Sequence, residues 1–134
     1  MTLSLERRLL QLAILLAACV PLAAGLGAVI TGAPAGTASH DSHYRYLSGL
    51  LFGVGLLFWS AVPAVERRTG LFRALTFVVV VGGLARVYGL LVRGDPGEMR
   101  WALVMELAVT PMLCLWQGRL VRRFMAAASN PAPS

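Results

Sequence analysis

Residues 71–117 read LFRALTFVVVVGGLARVYGLLVRGDPGEMRWALVMELAVTPMLCLWQ, and the pattern of apolar and charged residues in this segment predicts the fold class. It contains two long apolar runs separated by a short polar segment. Each run carries one full charge in its interior, Arg86 in the first and Glu106 in the second. A charge at membrane depth costs about 2.5–3.5 kcal/mol even on lenient insertion scales, so such residues usually pair with one another.

The positions of these two charges match. Arg86 lies seven residues before Arg93, and Glu106 lies six residues after Arg100. At a helical rise of about 1.5 Å per residue, both would lie roughly 9–10 Å below the same membrane face. The sequence therefore predicts an intramembrane ion pair between two consecutive helices. Two interpretations stay open: a structural lock without chemistry, or the floor of a pocket that opens outward.

The composition of the whole chain is that of a membrane protein. Of the 134 residues, 57% are hydrophobic and 13% are charged, whereas soluble domains have about 25% charged residues. About 20 apolar residues cross the hydrocarbon as a helix, and strands would need polar alternation and closure. We therefore predict an all-α, integral membrane four-helix bundle in residues 1–125 and a disordered tail in residues 126–134. The predicted spans are residues 9–31, 46–65, 71–92 and 101–118.

The N-terminus offers an alternative. The residues Leu16-Ala17-Ala18-Cys19 match the lipobox of bacterial lipoprotein signals. A cleaved signal has a short apolar core of about 7–15 residues followed by a polar mature chain. Here the apolar run continues to Ile30, so we expect an uncleaved first helix.

The arginines predict the orientation. All twelve basic residues are Arg, which together with the abundance of Ala, Gly and Leu is typical of a GC-rich bacterial genome. Three arginines lie near one face of the predicted bundle, at positions 45, 93 and 100. Eight lie near the other face, at positions 7, 8, 67, 68, 73, 119, 122 and 123. The positive-inside rule then places both termini and the short 66–73 loop in the cytoplasm. This clustering at span ends also argues against nucleic-acid binding.

The segment before the second span supplies the remaining candidate site residues. Asp41 or Ser42 is suited to an N-cap, because a short polar side chain accepts from the free amides of a first turn. Alternatively, Asp41, His43 and Arg45 form the rim of a pocket whose floor is Arg86 and Glu106. His40, Asp41 and His43 could supply metal ligands, but this spacing matches no established metal site. We expect no metal, no cofactor and no catalytic residue set.

Two groups of glycines predict close helix packing. Gly82, Gly83 and Gly89 share the helix face of Arg86, so we expect that face to point into the bundle. Gly49 and Gly53 form a GxxxG pair on the second span. That pair packs either inside the bundle or between two protomers of a homo-oligomer.

Several landmarks together resemble one bacterial membrane family, over nearly the whole chain. They are Asp41-Ser42-x-x-Arg45-Tyr46, Gly82-Gly83-Leu84-Ala85-Arg86, Glu106-Leu107-x-x-x-Pro111 and Leu115-Trp116-Gln117. The chain is similar in these motifs to the family catalogued as domain of unknown function 4345. That resemblance implies a four-helix inner-membrane protein with no assigned activity. The chain resembles the DoxX-like four-helix membrane proteins more distantly, and fold-level likeness does not carry function.

Two functions follow from these observations. The first is a non-enzymatic membrane protein, either a small-ligand-binding protein or an accessory subunit, which the Arg86–Glu106 pair stabilises. Its partners would be the lipid bilayer and a lipid or quinone-like small molecule. The alternative is an enzyme or carrier for a quinone or isoprenoid in an outward-facing pocket, with Glu106 as acid/base and Arg86 as anion clamp. An adjacent guanidinium favours the ionised carboxylate, which disfavours the alternative.

Overall fold

The computed structural model describes residues 2–94 and 100–129. It has four helices, each long and apolar enough to cross a membrane. They are α1 (Leu3–Thr31), α2 (Ala38–Ala61), α3 (Thr69–Arg93) and α4 (Arg100–Ser129). No strand occurs in the described ranges. The prediction of an all-α, four-helix membrane bundle is confirmed, and the chain is a multi-pass membrane protein.

Helices α2 and α4 extend furthest beyond their predicted spans. Helix α2 begins at Ala38, because Thr37 is the N-cap and accepts a hydrogen bond from His40 N at 3.3 Å. The prediction of Asp41 or Ser42 as N-cap is therefore wrong, since both lie inside the helix. Helix α4 continues to Ser129, so residues 126–129 are helical and only 130–134 of the predicted tail lie outside the described residues. The three alanines in this segment are strong helix formers.

The four helices form two hairpins, α1–α2 and α3–α4, each held by a glycine contact. A Cβ on Gly25 would lie 2.6 Å from the backbone nitrogen of Phe52. On the other hairpin, a Cβ on Gly83 would lie 2.7 Å from Leu107 Cδ2. Small residues let two helix backbones approach closely in a membrane. Within each hairpin, close packing therefore depends on the absence of a side chain.

The other glycines in the predicted packing faces have different surroundings. A Cβ on Gly53, Gly82 or Gly89 would meet nothing within 4 Å, and one on Gly49 would only touch Val29 at 4.0 Å. Of the three glycines on the Arg86 face, Gly83 alone makes the close contact between helices. The contact between protomers predicted for Gly49 and Gly53 remains a prediction.

The two hairpins pack against each other mainly at one end. We call this the turn end, because it carries residues 65–68; the opposite end, which carries residues 32–37, is the loop end. The rings of Phe58 and Phe72 meet edge to face here, with centroids 5.1 Å apart. The buried hydrophobic core is formed by Leu10, Ile14, Ala18, Phe58, Ala61, Val62, Val65, Phe72, Leu75 and Leu120. Ala18 lies at the middle of α1, and the other core residues lie nearer the turn end, with Val62 and Val65 following α2.

Polar side chains reinforce the turn end. The buried carboxylate of Glu6 pairs with Arg123 and accepts from Trp116 Nε1 at 3.4 Å, which connects α1 to α4. The fully buried Gln117 donates to the Val65 carbonyl at 2.8 Å and to Thr69 Oγ1 at 2.9 Å. Nε2 of Gln117 donates both of these bonds, while its buried Oε1 has no hydrogen-bond partner among the described residues. These contacts therefore fix α1, the 65–68 turn and α4 relative to one another.

A second ion pair of the turn end joins Arg7 on α1 to Glu66, which lies in the turn between α2 and α3. Arg7 Nε donates to Glu66 Oε2 at 3.0 Å, and Arg7 Nη2 donates to the Pro63 carbonyl at 2.9 Å. Burial alone would raise the pKa of Glu66. The hydrogen bonds from Arg7 and from the backbone of Glu66 outweigh this effect and lower that pKa below its ordinary value of 4.5. Glu66 is therefore ionised and paired at neutral pH.

Candidate functional site

A π-helical turn positions Glu106. Residues Met105–Val109 of α4 form this turn, in which the Thr110 N–H donates to the Met105 carbonyl five residues earlier. The Thr110 hydroxyl donates to the same carbonyl at 2.8 Å. Pro111 has no N–H, so it cannot bond the Leu107 carbonyl as an α-helix requires. Single π turns of this kind are frequent at functional sites, and this one places Glu106 against α3.

Arg86 and Glu106 form a bidentate ion pair. Arg86 Nε donates to Glu106 Oε2 at 3.1 Å, and Arg86 Nη2 donates to Glu106 Oε1 at 3.0 Å. Two parallel bonds of this kind fix both distance and orientation. The side chains remain 31% and 16% exposed, so this pair is not sealed inside a dry core.

The contact at Gly83 explains how the two side chains reach each other. Gly83 lies three residues before Arg86, on the same helix face. A Cβ on Gly83 would lie 3.0 Å from Glu106 Cβ, in addition to the contact with Leu107. The close approach of the two helices brings the guanidinium and the carboxylate into hydrogen-bonding range.

The ion pair lines a cavity of about 790 Å³ between the two hairpins. Among the described lining residues, Arg86 and Glu106 are the charged ones, and Tyr44, Ser48 and Thr110 carry hydroxyls. The remaining lining residues are apolar or glycine. They are Ile14, Ala17, Ala18, Val20, Pro21, Ala24, Ala28, Leu47, Leu50, Leu51, Val54, Phe58, Phe72, Val78, Val79, Gly82, Ala85, Ala102, Met105 and Leu113.

The cavity lies between the hairpins and is not fully enclosed. The lining residues Val20, Leu47, Leu50 and Val78 are each exposed at the surface of the bundle. At the turn end, the cavity ends on the core residues Ile14 and Phe58. The hairpins thus meet at the turn end and separate toward the loop end.

Asp41 and Arg45 make contacts of a different kind. Arg45 Nε donates to Asp41 Oδ2 at 2.8 Å, and Asp41 Oδ1 accepts from the Ala33 N–H at 2.7 Å. Arg45 also donates to the carbonyls of Val29 and Ile30 at the end of α1. The pair therefore closes the 32–37 loop and caps the carbonyl end of α1.

A glycine makes room for this loop network. Gly32 ends α1 with φ +76°, a conformation that favours glycine. A Cβ there would overlap the guanidinium of Arg45 and the carboxylate of Asp41.

Of the five predicted site residues, the structure brings Arg86 and Glu106 together at the cavity. Asp41, His43 and Arg45 are not among its described lining residues, and His43 is exposed on α2.

Three hydroxyl-bearing lining residues were not predicted as site residues. Thr110 had a signal, because it shares the Glu106 face and precedes Pro111. Tyr44 and Ser48 had none that distinguishes them from an interfacial aromatic and a helix-packing serine. In the part of the chain that the structure describes, no group of three or more His, Cys, Asp or Glu side chains could hold a metal ion.

A comparison with known protein families identifies the family of this chain. It belongs to the family described as Domain of unknown function (DUF4345), whose model matches residues 9–117. No curated protein and no solved structure matches the sequence. These comparisons do not show the more distant relationship to DoxX-like proteins. The matched range contains all the cavity-lining residues named above.

Proposed function

We propose that this DUF4345 protein is a non-enzymatic protein of the bacterial inner membrane that binds a small amphipathic, lipid-soluble molecule between its hairpins. One observation carries the proposal: a cavity of about 790 Å³ reaches both Arg86 and Glu106. Ligand sites are typically apolar clefts of about 300–1,000 Å³ with a few polar groups that fix orientation. The size and the lining of this cavity fit that description.

The shape of the cavity supports a lipid-like ligand. Ile14 and Ala28, fourteen residues apart on α1, both line it. At about 1.5 Å per residue this is a length of roughly 21 Å, about two-thirds of the ~30 Å hydrocarbon core. The charged and hydroxyl-bearing lining side chains lie toward the loop end, and the described residues that line the turn-end part of the cavity, such as Ile14, Phe58 and Phe72, are apolar. A molecule with one polar head and one apolar tail would match this arrangement.

The ion pair has two roles in this proposal. In its structural role, the pair joins α3 to α4. In its role as the floor of a pocket, it offers polar atoms to the cavity. Its partial exposure makes the two roles compatible. A sealed lock would not need a cavity beside it, and an intramembrane charge is a functional candidate by default.

The test is to identify the molecules that the purified protein retains. We expect mass spectrometry of the wild-type chain, extracted in mild detergent, to find one head-group class enriched over the bulk membrane lipids. In Gly82→Phe the new ring would enter the cavity, because Gly82 lines it and has open space at its Cβ. The enriched molecule should then be lost.

The matched control is Val81→Phe. Val81 is exposed and is not a lining residue, so this variant should retain the molecule at the wild-type level. Equal retention in both variants, or no enrichment in the wild type, would contradict the proposed function.

The proposed orientation has the turn end in the cytoplasm. It rests on the excess of arginines near that end, including Arg7, Arg67 and Arg123. A reporter fused after the C-terminus should show activity only if it is a cytoplasmic reporter. Activity of a reporter that works only outside the cytoplasm would overturn this orientation and leave the cavity proposal untouched.

The enzyme alternative has no specific observation in its favour. It needed Asp41, His43 and Arg45 at the mouth of the pocket. Asp41 and Arg45 are engaged in closing the 32–37 loop instead. We therefore propose binding and not catalysis.

A further inference from the structure

The electrostatics of the cavity restrict the head group that it can take, an inference that rests on the proposed ligand-binding function. The two charged lining residues among the described ones, Arg86 and Glu106, compensate each other through two hydrogen bonds. An anionic head group would bring a second negative charge next to the Glu106 carboxylate. In a medium of low dielectric constant an uncompensated charge is costly. The site is therefore matched to a head group without net charge.

The hydroxyl groups of the cavity indicate what that neutral head must offer. Ser48 Oγ donates to the Tyr44 carbonyl at 2.7 Å, and Thr110 Oγ1 donates to the Met105 carbonyl at 2.8 Å. Because both protons are used, these two oxygens have only lone pairs left for a ligand. The carboxylate of Glu106 is also an acceptor and has lone-pair positions beyond the two bonds from Arg86. Ser48, Thr110 and Glu106 thus offer acceptors to the cavity, and the hydroxyl of Tyr44 can donate or accept.

We propose that the cavity selects lipids with a neutral, hydrogen-bond-donating head, such as a long-chain alcohol or an isoprenol, over lipids with an anionic head. The donor hydroxyl of such a lipid would bond the acceptors of Ser48, Thr110 or Glu106. Its tail would lie against the apolar lining that ends on Phe58 and Phe72. Glu106 thereby acts as the specificity-determining residue, since it excludes a second anion from the neighbourhood of Arg86.

The experiment uses three labelled probes that share one tail: hexadecanol, hexadecyl phosphate and hexadecane. Each is added at trace concentration, at pH 7.5, to the full chain in phosphatidylcholine nanodiscs. Binding to Gly82→Phe gives the background from partition into the lipid. We expect the wild type to retain hexadecanol at least about tenfold better than hexadecyl phosphate or hexadecane, a factor that corresponds to ~1.4 kcal/mol.

The variant Glu106→Gln tests the specificity role directly. It removes the charge that repels a second anion while keeping the size of the side chain. The preference for hexadecanol over hexadecyl phosphate should fall at least about tenfold. If this variant does not fold, the preference of the wild type among the three probes still decides the inference.

The outcomes separate this inference from the proposed function. Equal retention of hexadecanol and hexadecane, or a preference for hexadecyl phosphate, would overturn the head-group inference and leave cavity binding in place. The same holds if the natural molecule lost in Gly82→Phe has an anionic head. If neither a probe nor a natural molecule is retained above the Gly82→Phe background, both the inference and the proposed function fail.

Discussion

The turn end and the loop end of this bundle have opposite ways of holding four helices together. At the turn end all four helices contribute to one buried core, which contains Leu10, Phe58, Phe72 and Leu120. At the loop end each hairpin is tight within itself, through Gly25 or Gly83, but the two hairpins are separated by the cavity. Lipid tails are as apolar as leucine, so hydrophobicity alone does not draw hairpins together in a membrane.

The contrast between the two ends shows that a bundle of this kind can hold a ligand cavity at one end. The packed turn end fixes the relative position of the hairpins, so the loop end can leave a cavity without losing the fold. The polar and charged side chains follow the same division. Glu6 and Gln117 bond across elements to complete the turn end, whereas Arg86 and Glu106 bond within one hairpin and face the open space.

The largest expected effect comes from removing one partner of the loop-end ion pair. In Arg86→Leu the Glu106 carboxylate would lose both of its hydrogen bonds and its counter-charge. We expect a loss of about 3 kcal/mol in the free energy of unfolding, the lower end of the range for broken buried pairs, because the cavity leaves the group partly exposed. The measurement is an equilibrium unfolding titration in mixed micelles.

The double variant Arg86→Leu/Glu106→Leu is the control. It leaves no charge behind, so it should recover at least half of the loss. A double variant that is no more stable than Arg86→Leu would show that the pair does not act as a unit.

The second prediction concerns the tightness of the α1–α2 hairpin. In Gly25→Ala the new methyl group would lie within 3 Å of backbone atoms of both Phe52 and Ser48, which cannot move aside as a side chain can. Overpacking of this kind costs about 1–3 kcal/mol, and contact with backbone favours the upper part of that range. The same unfolding titration measures it.

Gly53→Ala is the matched control on the same hairpin. Its Cβ meets nothing within 4 Å, and Ala is favoured over Gly in a helix by about 0.5–1 kcal/mol. The variant should therefore be as stable as the wild type or slightly more stable. A clear loss of stability would instead indicate that the Gly49–Gly53 face packs against a second protomer.

The third prediction compares the two ends by the same substitution. Leu10 is fully buried at the turn end, whereas Leu47 lines the cavity and is 50% exposed. Leu10→Ala should cost about 2 kcal/mol, the lower end of the range for core leucines, because surrounding hydrocarbon also solvates the unpacked side chain. Leu47→Ala should stay within about 0.5 kcal/mol of the wild type. Equal losses would mean that the hairpins are closed at both ends.

The sequence predicted the four helices and the charges that meet, because both follow from local rules. Apolar length defines a membrane span, and matching depth pairs Arg86 with Glu106. The division of the bundle into a packed end and an open end could not be predicted in this way. It depends on which side chains of different hairpins interlock, and Leu10 and Leu47 look alike in the sequence.

Asp41 and Arg45 illustrate the same limit. Their charge and their position before the predicted second span suggested the rim of a pocket. The side chain of Thr37 had already started α2 at Ala38, which placed Asp41 and Arg45 one turn apart, facing the 32–37 loop. The N-cap lies at Thr37, four residues before Asp41. Asp41 and Arg45, which were candidates for the rim of a pocket, therefore hold the 32–37 loop instead. Prediction of a site from sequence is therefore weakest where a helix begins.

The smallest expected effect is a pH-dependent one at the turn end. The pKa of Glu66 is lowered in the folded chain, so its pair with Arg7 stabilises the fold at pH values above about 4.5 and loses that contribution as the pH falls through the lowered pKa. Both side chains are partly exposed, so the contribution should stay below about 1 kcal/mol. The stability difference between the wild type and Glu66→Gln should be constant between pH 6 and 8 and shrink toward zero near pH 3. A difference that does not change with pH would show that Glu66 contributes through packing and not through its charge.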